Sequence, residues 1–251
     1  MNPFDLTGRL AVVTGAKRGI GFAVAEALAA AGADIVGVSA TLDPTSSAIG
    51  DRVRELGRDF SGHRVDFVDR AQVIDFAEAL DGRQVDILVN NAGTIRRAPA
   101  AEHPLDWFDE VLEVDLTSAF VLSQILGRRM LQAEYGRIVF TASLLSFQGG
   151  INVPGYAAAK SGAAGLVRAL SNEWAGRGVT VNGIAPGYIA TDNTEALRDD
   201  PDRSRAILER IPAGRWGTAA DIAGAAVYLA SDAARYVTGT ILPVDGGWLA
   251  R

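Results

Sequence analysis

A tyrosine and a lysine at helical spacing indicate proton-transfer chemistry. Tyr156 and Lys160 lie in an alanine-rich stretch, where residues four apart share one helix face. A tyrosine hydroxyl with the free pKa of about 10 is a poor base at neutral pH, but a neighbouring ammonium stabilises the phenolate. Ser143, earlier in the chain, would hold a substrate oxygen by a hydrogen bond. The three residues together predict general acid–base catalysis, although the pair alone also fits a surface lysine beside a partly buried tyrosine.

A glycine-rich turn near the amino end could bind the phosphates of a dinucleotide. Gly15, Gly19 and Gly21 follow an apolar run at residues 10–13 and precede a helical stretch. A helix N-terminus carries free N–H groups and partial positive charge, and glycine lets phosphates approach the backbone. The spacing is GxxxGxG, without the Lys-Ser/Thr ending of a P-loop. A bound nicotinamide would supply the hydride, whereas the simpler alternative is that these glycines only make a tight turn.

The end of the second predicted strand bears on the choice between NAD and NADP. Ser39 and Thr41 stand where an acidic residue would bind the ribose 2′-hydroxyl of NAD. This segment has no carboxylate, and two cations, Lys17 and Arg18, lie in the glycine turn. The pattern favours NADP(H). NAD(H) is the alternative if both cations are solvated surface charges.

Alternating apolar and amphipathic stretches predict one α/β domain over residues 1–251. The predicted strands are residues 10–13, 34–38, 64–68, 85–89, 137–141, 179–185 and 241–244. The predicted helices are residues 22–31, 51–56, 71–80, 105–131, 156–175 and 219–230. Repeated βα units favour a Rossmann-type, doubly wound parallel sheet of seven strands flanked by helices. Pro243 in the last strand suggests that this strand lies at a sheet edge.

Composition excludes several classes of function. The chain has no cysteine and only two histidines, which argues against thiol catalysis and zinc centres. A net charge of −6 argues against a general nucleic-acid binder. No apolar run approaches the roughly 18 residues of a membrane span, and no secretory signal is evident. A cytoplasmic enzyme without metal, nucleic-acid or membrane partners is expected.

These motifs, in this order, resemble those of the short-chain dehydrogenase/reductase family, and the resemblance runs over residues 6–251. It implies an NAD(P)-dependent oxidoreductase acting on a secondary alcohol or ketone, with Ser143, Tyr156 and Lys160 as its catalytic residues. The expected cofactor contacts come from the glycine turn, the ends of the second and third strands, the Asn-Asn-Ala-Gly segment, the catalytic helix and the segment after the sixth strand: Gly15, Lys17, Arg18, Gly19, Ile20, Gly21, Ser39, Thr41, Asp66, Asn91, Ala92, Gly93, Tyr156, Lys160, Pro186, Gly187, Ile189 and Thr191.

One catalytic position departs from the family pattern. The family usually has an asparagine in its long fourth helix, holding a water that relays protons through the catalytic lysine. This chain has Asp115 there. An ionised carboxylate accepts hydrogen bonds and stabilises a nearby ammonium, but it cannot donate. We therefore expect a working relay with an altered pH profile.

Longer strings resemble the sugar-acid dehydrogenases within the family; they are residues 90–97, 143–150, 187–198, 210–217 and 243–251. The implied substrate is a small polyhydroxy carboxylate of the gluconate, 2-deoxy-gluconate or keto-deoxy-gluconate type. Arg96 and Arg97 are candidates for binding its carboxylate, and Gln148 and Asn152 for binding its hydroxyls. For the two arginines, surface charge or a subunit contact is the alternative interpretation.

Two features remain open at this level. Residues 188–215 would form either a mobile lid over the substrate or a fixed surface insertion. The resemblance implies a homotetramer formed through the small-residue-rich helix that contains Tyr156 and through the fourth helix. The competing functions are a family reductase of other ketones or of acyl-carrier substrates, and a catalytically weak dinucleotide-binding regulator.

Overall fold

The chain folds around one parallel β-sheet, as its sequence predicts. The computed structural model describes residues 2–251, with only the backbone at Asn193. Within that part of the chain seven parallel strands lie in the order β3-β2-β1-β4-β5-β6-β7. Their bounds are β1 Leu10–Thr14, β2 Asp34–Ser39, β3 Phe60–Arg64, β4 Ile87–Asn90, β5 Gly136–Thr141, β6 Val179–Pro186 and β7 Ile241–Val244. The strand containing Pro243 lies at an edge, as expected.

Helices connect the strands and cover both faces of the sheet. They are α1 Gly19–Ala30, α2 Ala48–Glu55, α3 Arg70–Ala79, α4 Leu105–Leu112, α5 Ser118–Gln132, α6 Pro154–Trp174, α7 Glu195–Arg198, α8 Pro201–Arg210 and α9 Ala219–Ala230. Local signals explain several ends. Gly32, at φ +109°, follows the end of α1, and the Asp69 carboxylate accepts N–H bonds at the start of α3.

Two apolar cores lie on opposite faces of the sheet because successive strand residues alternate in direction. In β1, Ala11 and Val13 pack with α1, α2 and α9, whereas Val12 packs on the other face with α3, α5 and α6. Strands buried on both faces explain the continuous apolar runs in the sequence. Both layers hold the carboxyl ends of the central strands in fixed register.

The chain reverses its direction of winding between β1 and β4. From β1 the sheet extends through β2 to β3 on one side, and through β4 to β7 on the other. Doubly wound sheets bind ligands outside the carboxyl ends of the strands at such a point. The glycine turn follows β1 and the Asn-Asn-Ala-Gly segment follows β4, so both motifs meet there.

The predicted position of the third strand is wrong. The sequence pattern favoured residues 64–68, but the strand is Phe60–Arg64. Val65 and Phe67 are buried because they pack in the core with α3 and α5. Their alternating apolar pattern resembles that of a strand and led to the wrong prediction. The true strand is only half-buried at the sheet edge and is set by pairing with β2, where Ser39 lies beside Arg64.

The long helix predicted over residues 105–131 is interrupted. A π-helical turn at Glu113–Thr117 separates α4 from α5. Such turns often mark functional sites, and this one contains Asp115. Most other predicted helix and strand bounds differ from the observed ones by three residues or fewer.

Residues 2–251 contain neither a membrane-spanning helix nor a cluster of metal ligands. No helix within residues 2–251 is long and apolar enough to cross a membrane. The same residues contain no group of three or more histidine, aspartate or glutamate side chains placed to hold a metal ion.

Candidate active site

The glycine turn forms a tight cradle at the start of α1. Gly15 and Gly19 have φ values of +69° and +58°, which favour glycine. The N–H of Gly15 donates to Val38 O at 2.7 Å, which ties the turn to β2. A Cβ at Gly21 would overlap the Gly15 carbonyl oxygen. The cradle therefore fits a phosphate group against bare backbone at a helix N-terminus.

Thr14, which begins the glycine turn but was not among the predicted cofactor contacts, joins this turn to the segment after β4. Its hydroxyl accepts the N–H groups of Asn91 and Ala92 at 2.9 and 2.8 Å and donates to Val89 O at 3.3 Å. The Asn91 amide donates in turn to Thr14 O at 3.0 Å. Its type and its place before the first glycine were visible in the sequence, but its partners were not. These bonds hold the two predicted cofactor segments side by side.

Ser143 lies just after β5 and caps a short 3₁₀ turn. Its hydroxyl accepts the N–H of Leu145 at 3.1 Å. Ser146, in the same turn, donates its hydroxyl to Lys160 O at 2.7 Å and accepts the N–H of Ser143 at 3.3 Å. The turn after Ser143 is thus bonded directly to the helix that carries the predicted catalytic lysine, Lys160.

Tyr156 and Lys160 lie one turn apart on α6. The Lys160 Nζ is 5.3 Å from the centre of the Tyr156 ring. It donates to Thr141 O at 2.9 Å and forms an ion pair with Asp115 at 3.2 Å. Asp115 and Lys160 are only 3% and 4% exposed, so this ion pair is buried. The structure therefore brings three of the predicted catalytic residues together.

The buried pair changes the acid–base properties of both members. Burial raises the pKa of the Asp115 carboxyl, while Lys160 and the Thr94 N–H, 2.7 Å away, oppose that rise. Burial alone would lower the pKa of Lys160. Asp115 and Tyr156 outweigh it, so the pKa of Lys160 is raised. The site keeps an ammonium beside the tyrosine ring.

The segment after β6 is held by bonds to its neighbours. Gly187 donates its N–H to Val244 O at 3.0 Å. Thr194 donates its hydroxyl to Ile189 O at 2.6 Å and accepts the Thr191 N–H at 3.1 Å. The predicted cofactor contacts of this segment are therefore on a loop held by hydrogen bonds at the carboxyl edge of the sheet.

Two cations, Lys17 and Arg64, contact the segment that follows β2. Lys17 Nζ donates to the Thr41 carbonyl at 2.9 Å and its hydroxyl at 3.1 Å, and the Lys17 N–H donates to Ser39 Oγ at 3.2 Å. Arg18 forms an exposed ion pair with Asp192 at 2.8 Å. Arg64 donates to Leu42 O at 3.2 Å. Sequence reasoning missed Arg64 because the misplaced third strand put it at the wrong end of that strand.

The predicted substrate residues lie on two loops that touch each other. Ala98 donates its N–H to Asn152 O at 3.0 Å, and Asn152 has a φ of +63°. Arg96 makes a bidentate ion pair with Glu110, at 2.9 Å for both hydrogen bonds. Gln148 lies in the loop after Ser143, and Arg97 lies beside Arg96 in the loop before α4. Asp66, the predicted adenine contact, is exposed in the loop after β3.

This arrangement coincides with that of known enzymes. Residues 15–249 match a family model described as enoyl-(acyl carrier protein) reductase. A 2-dehydro-3-deoxy-D-gluconate 5-dehydrogenase from Pseudoalteromonas atlantica is 58% identical, over 100% of both chains. The chain belongs to the short-chain dehydrogenase/reductase family. It is an NAD(P)-dependent oxidoreductase that acts on CH–OH groups.

Solved structures of short-chain dehydrogenases agree with this fold over its whole length. One from Agrobacterium tumefaciens, described as a 2-deoxy-D-gluconate 3-dehydrogenase with bound NADP, is 52% identical, with a TM-score of 0.95 and coverage of 100% of both chains. A gluconate 5-dehydrogenase from Burkholderia cenocepacia, in complex with NADP and tartrate, is 37% identical, with a TM-score of 0.93. It covers 100% of this chain and 98% of that one.

Proposed function

We propose that this short-chain dehydrogenase interconverts the C5 hydroxyl and C5 ketone of a 2-dehydro-3-deoxy-gluconate-type sugar acid, with NADP(H) as the favoured cofactor. The observation that carries the proposal is the buried Lys160 beside Tyr156, at the sheet edge that also holds the glycine cradle. The full-length relatives named for this sugar-acid chemistry support the substrate class.

The proposed mechanism uses Tyr156 as the proton-transfer group. In the oxidative direction its phenolate takes the proton of the substrate hydroxyl, and in reduction its hydroxyl returns that proton. Ser143 Oγ donates a hydrogen bond to the same substrate oxygen. The Lys160 ammonium stabilises the phenolate, and Asp115 keeps that lysine charged and in place. When bound, the nicotinamide cofactor accepts or supplies the hydride.

The preference for NADP rests on charge. Lys17 and Arg64 bind the backbone of the loop after β2, and the segment Ser39 to Leu42 includes no carboxylate, while Arg18 follows Lys17 in the glycine turn and pairs with Asp192. A 2′-phosphate would gain charge-assisted hydrogen bonds from such a set. The NADP bound by the Agrobacterium and Burkholderia relatives supports the same preference.

The proposed substrate contacts follow from the loops near Ser143 and after β4. Gln148 and Asn152 are proposed to bind substrate hydroxyls, and Arg97 remains a candidate for the carboxylate. Arg96 is a weaker candidate, because Glu110 already neutralises its charge. The tartrate bound by the Burkholderia relative supports a substrate with both hydroxyl and carboxylate groups.

Residues 188–215 are proposed to close over the substrate, and four chains to assemble through α4, α5 and α6. The segment contains α7 and α8, which follow the braced loop after β6. On α6, Ala157, Ala158 and Ser161 line an open concavity of about 420 Å³ with the loop after Ser143. A second chain packed on these small side chains would cover that concavity.

The test is an initial-rate assay at 340 nm on purified protein. Gluconate, 2-deoxy-gluconate, 2-dehydro-3-deoxy-gluconate and their keto forms are assayed with NAD(H) and NADP(H). We expect turnover of a keto-deoxy-gluconate, with higher kcat/KM for NADP(H). Tyr156→Phe should reduce kcat by about 10²- to 10⁴-fold while cofactor binding, followed by fluorescence, persists.

Two results would contradict parts of the proposal. Turnover of bulky apolar ketones, with no sugar acid oxidised, would replace the substrate class. Equal or better kcat/KM with NAD(H) would remove the cofactor preference and leave Lys17, Arg18 and Arg64 as surface charges.

A further inference from the structure

An aromatic cluster joins the lid segment to the catalytic loop. Tyr188 packs against Trp248, with ring centres 4.6 Å apart, and against Trp216 at 5.5 Å. Leu144, the residue after Ser143, belongs to the same buried cluster as Trp248, and Ile207 of α8 packs against it. This group (Tyr188, Trp216 and Trp248, called here the aromatic cluster) therefore lies between the lid helix and the residue next to the catalytic serine.

Two arginines of α8 accompany Ile207 toward this cluster. Arg203 and Arg210 are four residues before and three residues after Ile207, so the three share one helix face. The Arg210 guanidinium stacks on the Trp248 ring at 3.9 Å. Burial raises the pKa of Tyr188, and the charges of Arg210 and Arg203 oppose that rise. Both guanidiniums thus act on the neighbourhood of the Tyr188 hydroxyl.

In the part of the chain that the structure describes, no carboxylate pairs with either arginine. Over the described residues 2–251, Arg203 and Arg210 form no ion pair, whereas Arg205, on another face of the same helix, pairs with Asp202 at 3.5 Å. Arg96, the candidate from the sequence, pairs with Glu110. Stacking occupies the face of the Arg210 guanidinium and leaves its N–H edge able to form a bidentate bond.

The aromatic cluster is also rich in donors without acceptors. The indole N–H groups of Trp216 and Trp248 are buried and have no hydrogen-bond partner within the described part of the chain. Trp248 is only 4% exposed. Buried N–H groups normally have acceptors, because leaving one unpaired costs stability. Two exposed arginines with no ion pair within residues 2–251 thus lie beside buried donors without acceptors, and a ligand with negative charge and acceptor oxygens would match both.

We propose that Arg210, assisted by Arg203, binds the carboxylate of the sugar-acid substrate from the lid side of the site. This rests on the proposed sugar-acid function and deepens it. The carboxylate supplies a counter-charge for Arg203 and Arg210, and its binding draws the helix toward the loop after Ser143. Recognition of the acid group is then coupled to closure of the segment at residues 188–215, so a neutral analogue gains neither the bond nor the closure.

The experiment compares a sugar acid with its C1 amide, which keeps the reacting hydroxyl but carries no charge. Arg210→Ala should lower kcat/KM for the acid by about 10- to 100-fold, mainly through KM, and change that for the amide by less than about 2-fold. The kcat/KM of Arg210→Lys for the acid should lie between the values for wild type and Arg210→Ala. Arg203→Ala should lower kcat/KM for the acid by a smaller factor, again with little change for the amide. Arg205→Ala is the matched control and should behave as wild type.

A second measurement is independent of turnover. Calorimetric titration of inert tartrate into the enzyme with NADP should give binding in wild type that weakens in Arg210→Ala and Arg203→Ala. If no sugar acid is turned over but tartrate binding depends on Arg210, the proposed reaction fails and the carboxylate site stands. Equal losses for acid and amide would mean that Arg210 only supports Trp248. Unchanged acid kinetics or unchanged tartrate binding in Arg210→Ala and Arg203→Ala would overturn the inference.

Discussion

Lys160 lies between the Tyr156 ring and the Asp115 carboxylate, and this position determines what both neighbours can do. A carboxylate at 3.2 Å matches the charge of the buried ammonium directly. An amide in the same place would leave that charge unmatched, since it carries none. The sequence predicted Asp115 as a catalytic position from resemblance alone. The direct ion pair, and the Thr94 N–H that orients it, came from the structure.

Replacement of Asp115 by asparagine tests that pairing. Asp115 raises the pKa of Lys160, so its removal lowers that pKa and the lysine loses its charge at lower pH. The alkaline limb of the kcat profile in Asp115→Asn should therefore move to lower pH. The loss of kcat at pH 7 should stay below the roughly 10²- to 10⁴-fold expected of Tyr156→Phe.

The measurement is kcat between pH 6 and 10 with saturating cofactor and substrate, with circular dichroism to confirm folding. A profile that overlays that of wild type would show that the carboxylate has no special role in keeping Lys160 charged. Loss of activity at every pH, without a shift of the limb, would instead indicate a change in the position of the lysine.

At the scale of elements, the turn between β1 and α1 shows how closely the cofactor cradle is packed. The position of Gly21 has no space for a side chain, because a Cβ would meet the Gly15 carbonyl and the Asn91 amide. The same Asn91 amide bonds to Thr14 and accepts from Thr141 of β5. A displacement of the turn would therefore also shift the segment after β4.

Gly21→Ala should reduce cofactor affinity by at least about 10-fold and lower the melting temperature. The added methyl group must displace the Gly15 backbone carbonyl as well as the Asn91 side chain, and overpacking of this kind typically costs about 1–3 kcal/mol. Fluorescence titration with NADPH and thermal unfolding measure the two effects. Gly224→Ala on α9 is the matched control, because a Cβ there meets nothing within 4 Å. Equal behaviour of the two variants would contradict a close-packed cradle.

For the whole molecule, the proposed tetramer gives a direct prediction of mass. Light scattering on the wild-type protein should give about four times the 26.3 kDa of one chain. Gly165→Arg on α6 should give smaller species that remain folded, because the space above Gly165 is open within one chain. Gly176→Arg, at another open glycine outside α6, is the control and should leave the mass unchanged. A monomeric wild type would remove the assembly proposal.

Local chemistry was largely determined by the sequence alone. The glycine turn, the Tyr156–Lys160 spacing and the buried strands depend on residue types and short-range periodicity, which are legible without a structure. The order of motifs along the chain was enough to indicate the family. The predicted doubly wound parallel sheet of seven strands and the edge position of β7 were both confirmed.

Tertiary structure decided what depends on contacts distant in the chain. The edge strand β3 was misplaced because its residues are only half-buried and its bounds are set by pairing with β2. Spacing could not reveal the partners of Asp115 and Arg96, the hydrogen bonds of Thr14, or the lack of an Arg210 ion pair within residues 2–251. Each of these features depends on contacts between residues distant in the sequence. Packing of the whole sheet and its helices determines such contacts, and local sequence patterns do not.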